Sequence, residues 1–206
     1  QLAQNLGGAV GGNGKFGGAV LSIHVGDTGP QLVAGSTGTT AQCRVCHSVA
    51  AKGGWLVAQH GDNYNVSSAY DLGNANTEHV MTHNATFPGL YPDGSLALTA
   101  GGLLLPLPTD TTPIATTGLG AMGTNLGTPA FSPDGKLVAA NPMSATTTVT
   151  APGKQLFVLN YDNNTNAFSN PTLVVDDTGK AAGVQPGWPA FFPDGQSLGF
   201  HHQSVA

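Results

Sequence analysis

Charge is scarce in this chain of 206 residues: Asp, Glu, Lys and Arg make up 8%, and Lys and Arg together number six. Six cations cannot form a stripe that tracks a phosphate backbone, and the formal net charge of -5 argues the same way, so nucleic acid is excluded as a partner. No apolar run approaches the roughly 20 residues that span a bilayer, and no transmembrane segment is expected. There is neither an initiator Met nor a signal sequence, so Gln1 reads as a processed terminus or the start of a fragment. Cysteine is limited to two residues. A structural zinc site would need a second short cluster of Cys or His, which is lacking, and the residues around Cys43 show none of the alternation of a thioredoxin-like βαβ unit.

Glycine and proline are plentiful, at 30 and 14 residues. Such punctuation breaks a chain into short strands joined by turns, and an all-β fold is expected. Both cysteines fall in one run, Cys43-Arg44-Val45-Cys46-His47. Cys-x-x-Cys-His is the pattern by which haem c is attached: two thiolates add to the two vinyl groups of one porphyrin while the following imidazole reaches the iron. The expected cofactor is one covalent haem c, with Cys43 and Cys46 as tethers and His47 as proximal ligand. Haem c is attached after export, so a periplasmic or extracellular location follows. Arg44, between the cysteines, reads as solvated.

A repeat runs through the chain. Leu90-Tyr91-Pro92-Asp93-Gly94 recurs as Phe131-Ser132-Pro133-Asp134-Gly135 and as Phe191-Phe192-Pro193-Asp194-Gly195. The second interval is about half as long again as the first, which points to an insertion that includes the stretch from Asn141 to Gly153. One period upstream of Gly94 lies Gly53, in a degenerate unit without Pro-Asp. Aligning the units puts Val49 with Leu90, Phe131 and Phe191, Leu56 with Ala97, Val138 and Leu198, and His47 with Pro88, Pro129 and Pro189. Each unit reads as four strands A to D. A runs into the Pro-Asp-Gly turn and B leaves it, as in Thr128 to Ser132 and Lys136 to Ala140. C is expected at Asn65 to Tyr70 and Gln155 to Tyr161, and D at Pro113 to Thr117 and Thr172 to Val175. Four strands in about 40 residues make a propeller blade.

The Phe-Ser-Pro-Asp-Gly-Lys unit resembles the repeat of TolB-like β-propellers, and the resemblance extends over nearly the whole chain. It implies a β-propeller built mostly for scaffolding and protein interaction, and by itself no reaction. Ala19 to Asp27 and Gln31 to Ser36 look like C and D without A and B, and Trp188 to Gln203 like A and B without C and D. Residues 1–206 are therefore expected to form a single propeller domain or fragment. It has about four blades' worth of strands, with a flexible Gly-rich arm over 1–18 and the haem motif at 43–47 in the first full blade. It either closes on itself, belongs to a larger propeller, or is completed by neighbouring chains, since an unclosed blade exposes strand edges.

Strand order places the start of A, the end of B and the D-to-A loops on one face, where the haem is expected. The candidates for a sixth iron ligand on that face are His83 first, then His202 with His201, then Met143 and His60. The expected function is single-electron transfer among redox partner proteins or other cytochrome subunits, within an oligomer or larger complex. An open iron would instead make a peroxidase-like or small-ligand-binding enzyme, and a third reading is a scaffold with a structural haem. Elsewhere the motifs are weak. Asp162-x-Asn164-x-Asn166 lacks the Gly and Glu of a calcium loop and reads as a C-to-D turn. Gly7 to Gly18 has no flanking strand and helix to make a dinucleotide site. No residue set supports a hydrolase.

Overall fold

A computed structural model describes residues 19–35, 44–61, 64–122, 125–143 and 153–204. The Gly-rich arm at 1–18 and Cys43 lie outside the described residues. The fold is a partial β-propeller of five antiparallel sheets in chain order, without an α-helix among the described residues. The first is a pair, β1 (Val20–Ser22) and β2 (Gln31–Ala34). The second has four strands: β3 (Val45–Val49), β4 (Trp55–His60), β5 (Val66–Asp71) and β6 (Thr77–Val80). The third has three: β7 (Gly89–Leu90), β8 (Leu96–Leu98) and β9 (Leu104–Pro106). The fourth has β10 (Asn125–Phe131), β11 (Leu137–Met143), β12 (Gln155–Asp162) and β13 (Ala167–Asp176). The last is a pair, β14 (Gln185–Phe191) and β15 (Leu198–Gln203).

Residues aligned by the repeat occupy one register. Val49 pairs with Leu56, Leu90 with Ala97, Phe131 with Val138 and Phe191 with Leu198. The turn between them has one construction. Gly94, Gly135 and Gly195 donate backbone hydrogen bonds to the carbonyls of Tyr91, Ser132 and Phe192, with φ of 80°, 73° and 68°. Asp93, Asp134 and Asp194 accept from the backbone N–H two residues on, an Asx turn that holds the chain while Gly supplies the left-handed conformation. The degenerate unit keeps the turn without Pro-Asp: Gly53, at φ 75°, donates to Ala50. Asp162 accepts from Asn164 N and Thr165 Oγ1, so the calcium-like stretch is the expected C-to-D turn.

One expected element differs. Pro113 to Thr117 forms no strand, and makes only isolated bridges from Ile114 to Leu104 and from Thr117 to Ala167. Pro106, Pro108 and Pro113 have no N–H to give a ladder, which leaves this sheet one strand short. Of the stretch read as an insertion, Asn141–Met143 continue β11, and residues 144–152 lie outside the described residues.

The core lies between sheets. One cluster joins Leu96, Leu98 and Leu104 to Leu126, Val138, Leu159 and Phe168; another joins Val57 and Ala69 to Leu90 and Leu105; a third packs Ala34 on Leu56 and Tyr70. The turns belong to these contacts, since a Cβ on Gly94 would stand 2.5 Å from Trp55 and one on Gly135 2.5 Å from the Tyr91 ring. Gly89 lies so close to the next inner strand that a Cβ would meet the Pro129 carbonyl oxygen at 2.4 Å. Gly89→Ala is therefore expected to destabilise the protein by about 2–3 kcal/mol through backbone displacement. Gly179, whose added Cβ meets nothing within 4 Å, loses only about 1 kcal/mol as Gly179→Ala, because of its φ of 85°. Urea unfolding of the two variants measures the difference.

Candidate functional site

The innermost strands share an irregularity that makes the site. The ladder shifts between Val45 and Ser48, between Gly127 and Ala130, and between Gly187 and Ala190, so two residues of the inner strand oppose one of its partner. The residue opening each bulge is left-handed: Cys46 at φ 49°, Thr128 at 30° and Trp188 at 45°, with Phe87 at 44° in the matching place before β7. For residues with a Cβ this conformation costs about 1–3 kcal/mol and persists only where the surroundings enforce it. The next residue is Pro129 or Pro189 in the bulges, and Pro88 before β7. An unpaired bulge residue has no ladder bond to lose, so Pro is tolerated there. In β3 that residue is His47, and an imidazole replaces a pyrrolidine ring.

These bulges ring a cavity of about 560 Å³ between β3, β7, β10 and β14. Cys46 and His47 line it together with Phe87, Pro88, Thr128, Pro129, Trp188 and Pro189. The rim is braced: the Phe87 and Trp188 rings meet edge to face at 6.3 Å, and Thr128 Oγ1 accepts the Trp188 N–H at 3.1 Å. The volume is that of a cofactor-sized pocket, and apolar walls around one thiol and one imidazole suit a porphyrin. His47 is exposed and stands third in β3, inside the strand rather than at its start as the repeat suggested.

Arg44 overturns its expected exposure. Its side chain is 4% exposed; Nε donates to Tyr70 Oη and Nη2 to Glu78 Oε1 at 3.0 Å, and Tyr70 Oη donates to the same carboxylate at 2.8 Å. Burial pushes the Tyr70 hydroxyl up to about 12. Burial also raises Glu78, but hydrogen bonds from Ser68 and Tyr70, with the charges of Arg44 and His60, hold its carboxyl below the usual range. A guanidinium committed in this way is no surface charge. It ties the segment leading into Cys46 to β5 and β6. Sequence reading missed it because Tyr70 and Glu78 lie far along the chain; the one signal available was Glu78 as a lone carboxylate on an otherwise neutral strand.

The other candidate ligands are held apart from the cavity lining. His60 Nε2 lies 2.7 Å from Ser68 Oγ and 3.7 Å from Glu78. His83, in the loop between β6 and β7, has Nδ1 2.7 Å from the Asp110 carbonyl and 3.2 Å from its carboxylate. The buried Asp110 also accepts the backbone N–H groups of Thr82 and His83. His202 Nε2 lies 2.6 Å from Asp177. His201 touches the rim through the Trp188 ring at 5.9 Å. Met143 ends β11, and its side chain lies outside the description. Among the described residues no cluster of three metal-ligating side chains forms, and no helix is long and apolar enough to cross a membrane.

Solved structures share this architecture. A TolB from Acinetobacter baumannii matches 82% of the chain at a TM-score of 0.51 and 16% identity. A protein assigned as a TolB from Agrobacterium tumefaciens matches 90% at 0.54 and 17%. The fold is that of the TolB-type propellers. The chain spans only 39% and 63% of the length of those two structures. Hydrazine synthase from Kuenenia stuttgartiensis matches 84% of the chain and 46% of its own length at 12% identity, but its TM-score of 0.49 carries no argument. No family model and no curated protein matches the sequence.

Tyr70→Phe removes the buried hydroxyl that accepts from Arg44 Nε and donates to Glu78, and is expected to cost about 1–3 kcal/mol in urea unfolding. Acid weakens the same network. Burial first, then the Arg44 charge, hold the His60 imidazole below its usual 6.5. A lowered folded value means the stabilisation is complete above 6.5 and is lost as pH falls through that lower value. The urea midpoint should therefore drop between neutral pH and pH 5, and drop less in His60→Gln. The Asp177 carboxylate, held below 3.8 first by its hydrogen bond from Lys180 and then by His202, adds a second loss at lower pH, which Asp177→Asn removes.

Proposed function

We propose that the protein is an exported, TolB-like propeller scaffold that carries one covalent haem c in its axial cavity and passes single electrons between redox partner proteins. The observation that carries this reading is the position of Cys46 and His47 on the bulge of an innermost strand, which turns both to the cavity where other units present Phe87-Pro88, Thr128-Pro129 and Trp188-Pro189. In this reading Cys43 and Cys46 hold the porphyrin by thioether links and His47 ligates the iron. Bound there, the haem exchanges one electron between its two iron states.

This chain's residues do the remaining work. Arg44, anchored on Tyr70 and Glu78, fixes the segment leading into Cys46, so that thiol and the imidazole of His47 are held before attachment. Pro88, Pro129 and Pro189 wall the cavity with groups that cannot hydrogen-bond through N–H, keeping the site apolar. Trp188 is 43% exposed and lines the cavity, and so offers a contact between the interior and a docked redox partner. Periplasmic or extracellular residence follows from the attachment chemistry rather than from the fold.

A second reading is favoured by one observation. His47 is the only histidine on the described lining, while His60, His83 and His202 are engaged elsewhere. An iron with one protein ligand would bind a small molecule, as in a peroxidase-like site. Expression in a host with a haem c attachment system, followed by intact mass and a reduced pyridine haemochrome spectrum, tests the shared claim. One haem per chain is expected, and none in Cys43→Ser/Cys46→Ser. High-spin spectra with carbon monoxide binding select the open site; a low-spin spectrum without it selects the electron carrier.

A further inference from the structure

Thr128 opens the bulge of β10 at φ 30°, in the left-handed region where a branched Cβ is accommodated worst. Gly would hold that backbone without strain. A strained residue is kept where its side chain does something that the easier residue would not. Thr128 is 5% exposed, and its Oγ1 accepts the Trp188 N–H at 3.1 Å, which ties the bulge of β10 to that of β14.

That bond uses one lone pair and leaves the hydroxyl its hydrogen to give. Among the described residues the Thr128 hydrogen has no acceptor, and neither has the indole N–H of Trp188. Ser132, the other buried hydroxyl on the cavity lining, is committed: it donates to Asp134 Oδ1 at 2.7 Å and accepts the Leu137 N–H. A buried donor without an acceptor costs free energy, and the space that Thr128 and Trp188 share is the cavity. Pro129 and Pro189, which follow them, bring no N–H to compete for an acceptor there.

None of the residues lining the cavity is charged. An anionic group seated in it is therefore met by neutral donors, or by water at the rim. β3 packs on β7, β7 on β10 and β10 on β14, so Thr128 and Trp188 stand two and three sheets on from Cys46 and His47 around the same space. A haem tethered through its vinyl groups carries its two propionates on the opposite edge of the ring, away from the tethering strand.

We infer that Thr128 is a positioning residue for that edge: its hydroxyl donates to a propionate oxygen, and the Trp188 indole N–H is the second donor. The inference rests on the haem reading of the same cavity. Thr128 then does two things with one oxygen, holding the backbone of Trp188 and presenting its own hydrogen, so the two donors are kept together. The porphyrin is fixed covalently at β3 and by hydrogen bonds at β10 and β14, which sets its rotation in the cavity. Neutral donors place a carboxylate without bringing a countercharge, in keeping with a lining that has none.

Resonance Raman spectra of the haem-loaded protein read the propionate bending band, whose frequency rises with hydrogen bonding, while the pyridine haemochrome reads attachment separately. Thr128→Ser keeps the hydroxyl and is expected to leave the band in place. Thr128→Ala, which sits in the left-handed conformation more easily than a branched residue, is expected to fold, keep one haem per chain and shift the band downward. Trp188→Phe removes the indole N–H but keeps the backbone bond to Thr128, and a downward shift is expected there too. The double variant separates donation from bracing: if Thr128 donates itself, the band moves further than in Trp188→Phe alone. A band unmoved in folded, haem-bearing Thr128→Ala, or a double variant no further shifted than Trp188→Phe, overturns this inference and leaves the haem reading standing. A wild type that takes up no haem overturns the haem reading, and this inference with it.

Discussion

A twisted sheet has two faces, and in this protein neither can be left to water, because both carry apolar residues. Leu56 and Tyr70 are covered by β1 and β2, Val57 and Ala69 by the β7–β9 sheet, and Leu98 and Leu104 by the β10–β13 sheet. Each sheet is therefore stable only between neighbours, and the arc is a chain of interfaces. The close approaches follow from this requirement. Glycine stands at the turn under Trp55 and Tyr91, and again on β7 beside Pro129, because adjacent sheets leave no room for a Cβ.

Stacking sheets around an axis crowds the innermost strands, and the bulges answer the crowding. An extra residue bends each inner strand and re-aims two side chains, one of them forced into a left-handed conformation. Three units use Pro in the second of these places, and one uses His47. A single substitution in a repeated frame thus sets an imidazole where other units set a pyrrolidine ring, and Cys46, the strained residue before it, is carried to the same cavity. The site costs the scaffold little, since the bulge exists in every unit that shows a full inner strand.

With so few charges, the ionic contacts that form are specific. Arg44 and Glu78 sit with Tyr70 and His60 beside β3, and Asp177 gathers Lys180 and His202 where β13 leads to β14. Both networks bind segments distant in sequence, and both are sensitive to acid in the same direction. Their role is to hold register and position, because an isolated surface pair in this setting would contribute little.

The repeat and the turn chemistry were legible in the chain, because each depends on residues close in sequence: Pro-Asp-Gly dictates its own turn. Cys-x-x-Cys-His is equally local, and the haem proposed for it rests on that sequence run. Even the alignment of His47 with Pro88, Pro129 and Pro189 was readable, and it matches the shared cavity wall. The missing fourth strand at Pro113 to Thr117 was less so, because its apolar alternation reads as a strand while the loss of ladder donors at Pro106, Pro108 and Pro113 matters only once a partner strand is placed. The bulge, the cavity and the burial of Arg44 belong to the tertiary structure alone. They arise from packing one sheet on the next and from contacts such as Arg44 to Glu78 that join residues 34 positions apart, and no local pattern encodes a distance of that kind.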